Sequence, residues 1–428
     1  MATAEVATME TDNTKNQVSR RGFLGVSSAA LAATVGALSI GGASGQEQTA
    51  GSRGASDRSR SDPGPGNSAS DAQNPDSTWP PATDSKSLVR TFKYPFSMAN
   101  KRTYKGGWSR EVTVRELPVS KSLAGVNMRL TAGGVRELHW HTAGEWAIML
   151  YGSARITAID LDGKSFVADT NKYDLWFFPS GVPHSIQGLE PDGAEFMLVF
   201  DDGDFSEQET VLLSDSVSHI PPEVLAKNFG VSEQALKNVP RQELFIFQAA
   251  LPASIETDQR AAAGGLGKSS RDFAFRTMEM PVTKRTKGGE LRIVDSNTFK
   301  VSTTAMAMVT VHPGGLRELH WHPNAAEWQY YIEGKARMTV VDTGNKARTM
   351  DFQAGDVGYV EKTLLHYIEN TGDTDLIFLE MFKSGFYQDL SFSEWLAHTP
   401  PELVMAHLNI DRATLDAIPR DGLVVVPG

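Results

Sequence analysis

The chain has 428 residues, 40% of them hydrophobic, which is room for two or three folded domains. Its formal net charge of −11 argues against a nucleic-acid partner and against an anionic membrane surface, so a small anionic ligand would need a local cationic pocket. With no cysteine there is no disulfide and no thiolate site, and any metal must be held by histidine and carboxylate.

Residues 1–45 read as an address rather than as fold. Ser19-Arg20-Arg21-Gly22-Phe23-Leu24 is a twin-arginine pattern, and a mildly apolar run follows from Leu24 to Ile40. That run is too short and too rich in glycine and serine for a membrane-spanning helix, and Ala43-Ser44-Gly45 supplies small residues for cleavage. The expectation is export by the twin-arginine route to the periplasm or beyond, with no stable membrane insertion after signal cleavage. Residues 46–84 hold almost nothing to bury and read as a disordered tether.

From there the chain is a repeat. Gly134-Val-Arg-Glu-Leu-His-Trp-His returns about 180 residues later as Gly315-Leu-Arg-Glu-Leu-His-Trp-His. Tyr151-Gly-Ser-Ala-Arg-Ile-Thr is answered by Glu333-Gly-Lys-Ala-Arg-Met-Thr, and His219-Ile-Pro-Pro-Glu by His398-Thr-Pro-Pro-Glu. A whole domain is duplicated, with an N-terminal unit over 85–250, a linker over 251–268 and a C-terminal unit over 269–428. Within each unit, short apolar runs such as Trp146–Tyr151, Ala154–Asp160, Leu175–Phe178 and Glu195–Phe200 are broken by turn residues, the pattern of an all-β sandwich or barrel. Pro222–Ala226, Ser232–Leu236, Pro401–Leu408 and Asp411–Ala417 carry helical spacing and caps, so each unit should end in short helices.

Six of the ten histidines lie in the repeated motifs. Residues i and i+2 of a strand share a face, so His139 converges with His141 and His320 with His322. Glu145 and Glu327 follow within a few residues, and His184 and His366 come about 43 residues after the second histidine of each pair. Three imidazoles and one carboxylate suit Mn, Fe, Co, Ni or Zn, with open positions for catalysis. Arg136 and Arg317 stand three residues before the first ligand. On a regular strand they would face away from the site, and only a bend or bulge would turn them in.

These motifs resemble the cupin superfamily. Gly133, His139, His141, Glu145 and Gly152, and again Gly314, His320, His322, Glu327 and Gly334, meet its first motif. Its second is met in part, with Tyr173 in place of a leading glycine in one unit and Glu361 and Thr363 in place of the proline and glycine in the other. Over nearly all of 85–428 the chain resembles the bicupin oxalate decarboxylases, through Arg-Glu-Leu-His-Trp-His in both halves, Asp174–His184, His322–Ile332 and Ala354–Val360. That resemblance implies two tandem cupin barrels with short helical extensions, two manganese ions per chain, and dioxygen as co-catalyst. It further implies oxalate bound beside Arg136, Glu207 as the proton-transfer group on a mobile lid, and trimers or hexamers built through the helical tails. In the second unit it points to Glu380 as a catalytic residue and to Arg317 and Tyr387 as substrate or second-site residues. Trp140 and Trp176 are family-like aromatics, read here as packing residues.

The lid departs from the family's Ser-Glu-Asn-Ser-Thr: here it is Ser206-Glu207-Gln208-Glu209-Thr210. Glu209 adds a like charge that would raise the pKa of Glu207 if it faced inward. A well-placed, water-shielded acid returns a proton to carbon and gives formate, whereas without it oxalate ends as carbon dioxide and peroxide. Decarboxylation is the expected activity, and oxalate oxidation the alternative. A manganese-binding bicupin with incidental turnover has no use for Glu207, and a dioxygenase for aromatic substrates has none for Arg136.

Overall fold

The computed structural model describes residues 89–344 and 346–428, so the signal expected over 1–45 and the tether expected over 46–84 lie outside the described residues. Among the described residues no helix is long and apolar enough to cross a membrane. The chain forms two antiparallel barrels. In the first, the 15-residue strand Glu145–Ile159 belongs to both faces: its first half pairs with Asp174–Phe178 and Ala194–Phe200, its second with Ser165–Asn171 and His184–Gly188. The turn expected at Tyr151-Gly152 is instead a change of sheet within one strand, which Gly152 permits at φ 69°. In the second barrel the matching strands Glu327–Glu333 and Lys335–Asp342 are separate, broken at Gly334 with φ 87°.

The two barrels exchange strands. Lys93–Pro95, which the sequence boundaries place with the first unit, pairs with Asp356–Val360 of the second. Ala274–Arg276, placed with the second unit, pairs with Asp174–Phe178 of the first. The segment expected as a bare linker carries a helix, Ile255–Ala263, whose N-cap Ser254 accepts from Thr257 N. Arg155 fastens it to the barrel by bonding Asp258 and Asp169.

Strands Asp174–Phe178 and Asp356–Val360 are buried at every position, because one face lines their own barrel and the other packs on its neighbour. Ala147, Trp176 and Phe178 fill the first barrel, while Trp146, Ile148, Leu175 and Phe177 join a core shared with Trp328, Tyr331 and Met381 of the second. The helical tails follow the sequence closely: Pro222–Phe229 starts on proline and ends on left-handed Gly230, and Pro401–Leu408 ends on left-handed Asn409. Ser232–Leu236 becomes a 3-10 turn over Glu233–Leu236, and Arg412–Asp416 is capped by Asp411. Leu213–His219 and Phe392–Ala397 are further helices that spacing alone did not mark.

Where the second motif departs from its pattern, the backbone does not. Tyr173 keeps φ 70° where the other repeat has Gly355 at 89°, and Thr363 keeps φ 70° where the other has Gly181 at 75°. A side chain there costs roughly 1–2 kcal/mol. At Tyr173 the hydroxyl repays some of it by reaching Glu333 of the other barrel, at 3.2 Å.

Candidate metal centres and the lid

The first histidine of each pair lies on a strand, Gly134–Trp140 or Leu316–Trp321, that runs against the strand carrying the third histidine, and the second, His141 or His322, follows directly on the strand's end. His139 is paired directly with His184, and His320 with His366. His139, His141, Glu145 and His184 form one buried cluster, and His320, His322, Glu327 and His366 another; in each, the ligand atoms lie within 4.8 Å of one another.

The protonation of these rings is fixed from behind. His139 Nδ1 bonds Glu137 O at 2.6 Å, His141 Nδ1 bonds Ala143 O at 2.7 Å and His184 Nδ1 bonds Val182 O at 2.8 Å. In the second cluster His320 Nδ1 bonds Glu318 O at 2.6 Å, His322 Nδ1 bonds Gln388 O at 2.7 Å and His366 Nδ1 bonds Leu364 O at 3.0 Å. A carbonyl only accepts, so Nδ1 carries the hydrogen and Nε2 presents a lone pair. Burial, and then the nearby guanidinium of Arg136 or Arg317, holds His139 and His320 well below the ordinary imidazole pKa. Burial opposes ionisation of Glu145, but His184 and His141 outweigh it and keep the carboxyl well below its usual range. Nε2 of His184, His320 and His322 are buried without a hydrogen-bond partner. Glu145 Oε2 lies 3.2 Å from His141 Nε2, and Glu327 Oε2 lies 3.1 Å from His322 Nε2. Lone pairs crowded around one point call for a cation there, and a divalent ion with N and O ligands fits both donor sets.

Each ligand carboxylate is held from behind by a donor whose role the sequence did not reveal. Trp176 Nε1 donates to Glu145 Oε1 at 2.9 Å, so it orients the carboxylate besides packing. In the second barrel Gln329 Nε2 does the same for Glu327 Oε1 at 2.7 Å, itself held by Tyr331 OH at 2.8 Å. The donors come from opposite sides of one cross-strand pair: Ala147 faces Trp176, and Gln329 faces Gly358. A Cβ on Gly358 would stand 2.5 Å from Gln329 Oε1, so the large and small partners have traded places.

The arginines are turned inward by the bulge that the sequence left open. Two residues separate Arg136 from His139 where only one separates Ile186 from His184, and the register slips identically after Arg317. Arg136 is therefore buried while Leu138 and Trp140 face out. Glu137 accepts from Ser214 N, Ser214 Oγ and Phe245 N, pinning Phe245 at φ 55° with its ring 3.9 Å below the Arg136 guanidinium. Glu318 holds Val424, at φ 62°, in the same way.

The two arginines then differ. Among the described residues Arg136 makes a single hydrogen bond, 3.4 Å to Phe245 O. Arg317 gives Nε to Glu380 Oε1 at 2.9 Å and Nη2 to both Tyr387 OH at 2.8 Å and Asp389 Oδ2 at 2.7 Å. Both oxygens of Glu380 are occupied, Oε2 by Tyr387 OH at 3.0 Å. Glu380, expected to be catalytic, is thus committed to a buried ion-pair network, and Asp389, which the sequence did not single out, completes it.

The length of one loop explains part of that difference. Phe205 stacks on Phe200 at 3.6 Å, and Tyr387 covers Phe382 at 5.3 Å, each beside a ligand histidine. From these anchors the first barrel takes residues 206–210 to reach Val211, whereas the second takes only 388–389 to reach Leu390. The longer loop holds the 3-10 turn Glu207–Glu209, capped by Ser206. Glu207 is buried, and burial raises its pKa against the pull of Arg136 and Arg102. Gln208 and Glu209 face solvent; the like charge acting on Glu207 is Glu111, not Glu209.

Residues 95–237 and 278–416 each match the cupin family. The chain is 51% identical over 363 residues to oxalate decarboxylase OxdC of Bacillus subtilis (strain 168), covering 85% of this chain and 93% of that one. It is 40% identical over 365 residues to a probable oxalate decarboxylase of Arthroderma benhamiae, covering 84% and 89%. It superposes with a TM-score of 0.81 on a structure of the Bacillus subtilis oxalate decarboxylase, for whose Mn(II) centres EPR fine structure parameters have been assigned, at 51% identity and covering 85% of this chain and 96% of that one. The chain belongs to the bicupin oxalate decarboxylases of the cupin superfamily.

Proposed function

We propose that this protein is a manganese-dependent oxalate decarboxylase that converts oxalate to formate and carbon dioxide. The observation that carries the reading is the uncommitted Arg136 beside a three-histidine, one-glutamate cluster, under a loop that buries one carboxylate. His139, His141, Glu145 and His184 hold one ion, and His320, His322, Glu327 and His366 the other. Bound manganese, with dioxygen as co-catalyst, supplies the one-electron chemistry that weakens the carbon–carbon bond of oxalate.

The remaining work belongs to side chains. Arg136 neutralises and orients the second carboxylate of oxalate, and its donors are free to do so. Glu207 takes the proton of hydrogen oxalate and returns it to carbon after carbon dioxide leaves, shielded from water by the lid. Arg317 is already neutralised by Glu380 and Asp389, so a second dianion gains little at the C-terminal centre. That centre serves chiefly the fold. The exposed Trp140, Trp395 and Leu403 on the ligand strand and tails support a trimer or hexamer, and the paired Arg20 and Arg21 support export.

The test is to incubate metal-loaded protein with oxalate and dioxygen and measure formate, carbon dioxide, peroxide and bound metal together. Equal formate and carbon dioxide is the expected result, and peroxide in place of formate would mean an oxidase. Glu207→Gln should lose formate production about a hundredfold while keeping its metal. Full formate production from that variant would remove Glu207 from the mechanism.

A further inference from the structure

The lid carboxylate has a built receptor. Strands Lys101–Tyr104 and Gly107–Val112 form a hairpin in which Arg102 and Ser109 face each other directly across the ladder. Both reach the same oxygen: Arg102 Nη2 pairs with Glu207 Oε2, and Ser109 Oγ donates to it at 3.0 Å. Two residues along the strand, Glu111 Oε2 accepts from the backbone Glu207 N at 3.2 Å. Arg102 is itself held in place, its guanidinium 4.9 Å from the centroid of the Phe245 ring that also supports Arg136.

The second barrel is an internal control. Aligning Gly107 with Gly289 by their strand pairings puts Lys284, Leu291 and Ile293 where the first barrel has Arg102, Ser109 and Glu111. Lys284 there turns to Gly422 O, and the two strand positions are apolar. The barrel without the lid glutamate is also the barrel without its receptor. A hairpin that merely needed polar residues for solubility would not lose both strand positions and turn its remaining cation elsewhere, together with the loop they hold.

We propose that Arg102 and Ser109 are positioning residues, a cross-strand receptor that holds the Glu207 carboxylate in its buried place and so sets how much turnover ends in formate rather than peroxide. The proposal rests on the decarboxylase reading above. Hydrogen oxalate gives formate and carbon dioxide only if a proton reaches carbon before a second electron is lost. If dioxygen takes both electrons, oxalate, dioxygen and two protons give two carbon dioxide and one hydrogen peroxide. A lid that spends more time open delivers that proton less often and admits water.

The experiment uses metal-loaded Ser109→Ala, Arg102→Gln and Arg102→Lys beside the parent, with bound metal quantified. It reads the peroxide-to-formate ratio and the amide hydrogen exchange of residues 206–210. Losing one hydrogen bond to a buried carboxylate should raise the ratio about tenfold in Ser109→Ala and Arg102→Gln and speed exchange across the lid. Arg102→Lys, which keeps the charge, should fall between them and the parent. Unchanged ratios in Ser109→Ala and Arg102→Gln would overturn the proposal, whether or not exchange quickens. If the parent itself makes no formate, the decarboxylase reading has failed, and lid exchange in the same variants still decides whether the receptor holds Glu207.

Discussion

Two residues that open the same Arg-Glu-Leu-His-Trp-His motif, Arg136 and Arg317, have opposite fates, and the difference lies in what surrounds each guanidinium. Arg136 keeps donors for a ligand, whereas Arg317 is spent on Glu380, Tyr387 and Asp389. Arg136→Ala should therefore lower kcat/KM for oxalate about a hundredfold or more, with little change in stability. Arg317→Ala should do the reverse: near-parental kcat/KM in the folded enzyme, but a loss of about 3 kcal/mol, because the buried Glu380 and the partly buried Asp389 lose their counter-charge. Steady-state kinetics and denaturant unfolding on both variants decide it, and equal kinetic damage from both would show that the second centre turns over. Trp176 supplies another test at this scale. Trp176→Phe keeps the ring and removes the donor to Glu145, so competition with a chelator should show metal affinity at the first centre reduced about tenfold. Affinity at the second centre, where Gln329 makes the equivalent bond, should not move.

Among the elements, the exchanged strands carry a pH signature. Lys93 enters the second barrel on the strand Lys93–Pro95 and meets Asp356 at 3.2 Å with both side chains buried. Burial pushes Asp356 up to about 6 despite Lys93. Between its unfolded value near 4 and this folded value, the native state holds a proton that the unfolded chain has released, so stability falls as pH rises through that window. The contribution is at most about 3 kcal/mol. Replacing both partners, Lys93→Met with Asp356→Asn, should flatten the difference in stability between pH 4 and pH 7 without loss at pH 7; a slope as steep as the parent's would assign it to other groups. The sequence could not show this pair, because strand exchange is a long-range pairing with no local pattern. What it did show was the ligands, whose spacing is set within one strand and one hairpin, and the helices, whose caps are local. It left the direction of Arg136 open because one inserted residue, the bulge, reverses the alternation of faces. It read Trp176 as packing only and missed Asp389, because their partners, Glu145 and Arg317, lie on other strands; it missed Gln329, two residues along the strand from Glu327, because only the i, i+2 histidines were read as sharing a face.

At the scale of the whole molecule, the metal centres and the joint between the barrels are built on the same strands. Glu145 and Glu327 point into their barrels, and the next residues, Trp146 and Trp328, point out into the shared core. Trp328 lies against the first barrel so closely that a Cβ on Gly125 would stand 2.4 Å from its ring. With a strand exchanged in each direction besides, neither barrel can lose its structure without exposing the apolar face of the other and opening its sheet. Two duplicated domains would ordinarily unfold in two steps; these should unfold in one. Denaturant unfolding of the metal-free protein, followed by circular dichroism and by tryptophan fluorescence, should give coincident single transitions. Gly125→Val should move that transition as a whole by forcing Trp328 out of its seat, although the substitution lies in the first barrel and the displaced ring in the second. Two separated transitions, with only one shifted by Gly125→Val, would mean that the barrels are stable apart and that the exchanged strands are decoration on two independent folds. A single shifted transition ties the geometry of each metal centre to the integrity of both barrels. On that outcome the C-terminal cluster, whose arginine is already committed, still matters to catalysis, because the ligand strand it steadies is one residue from the core on which the first centre rests.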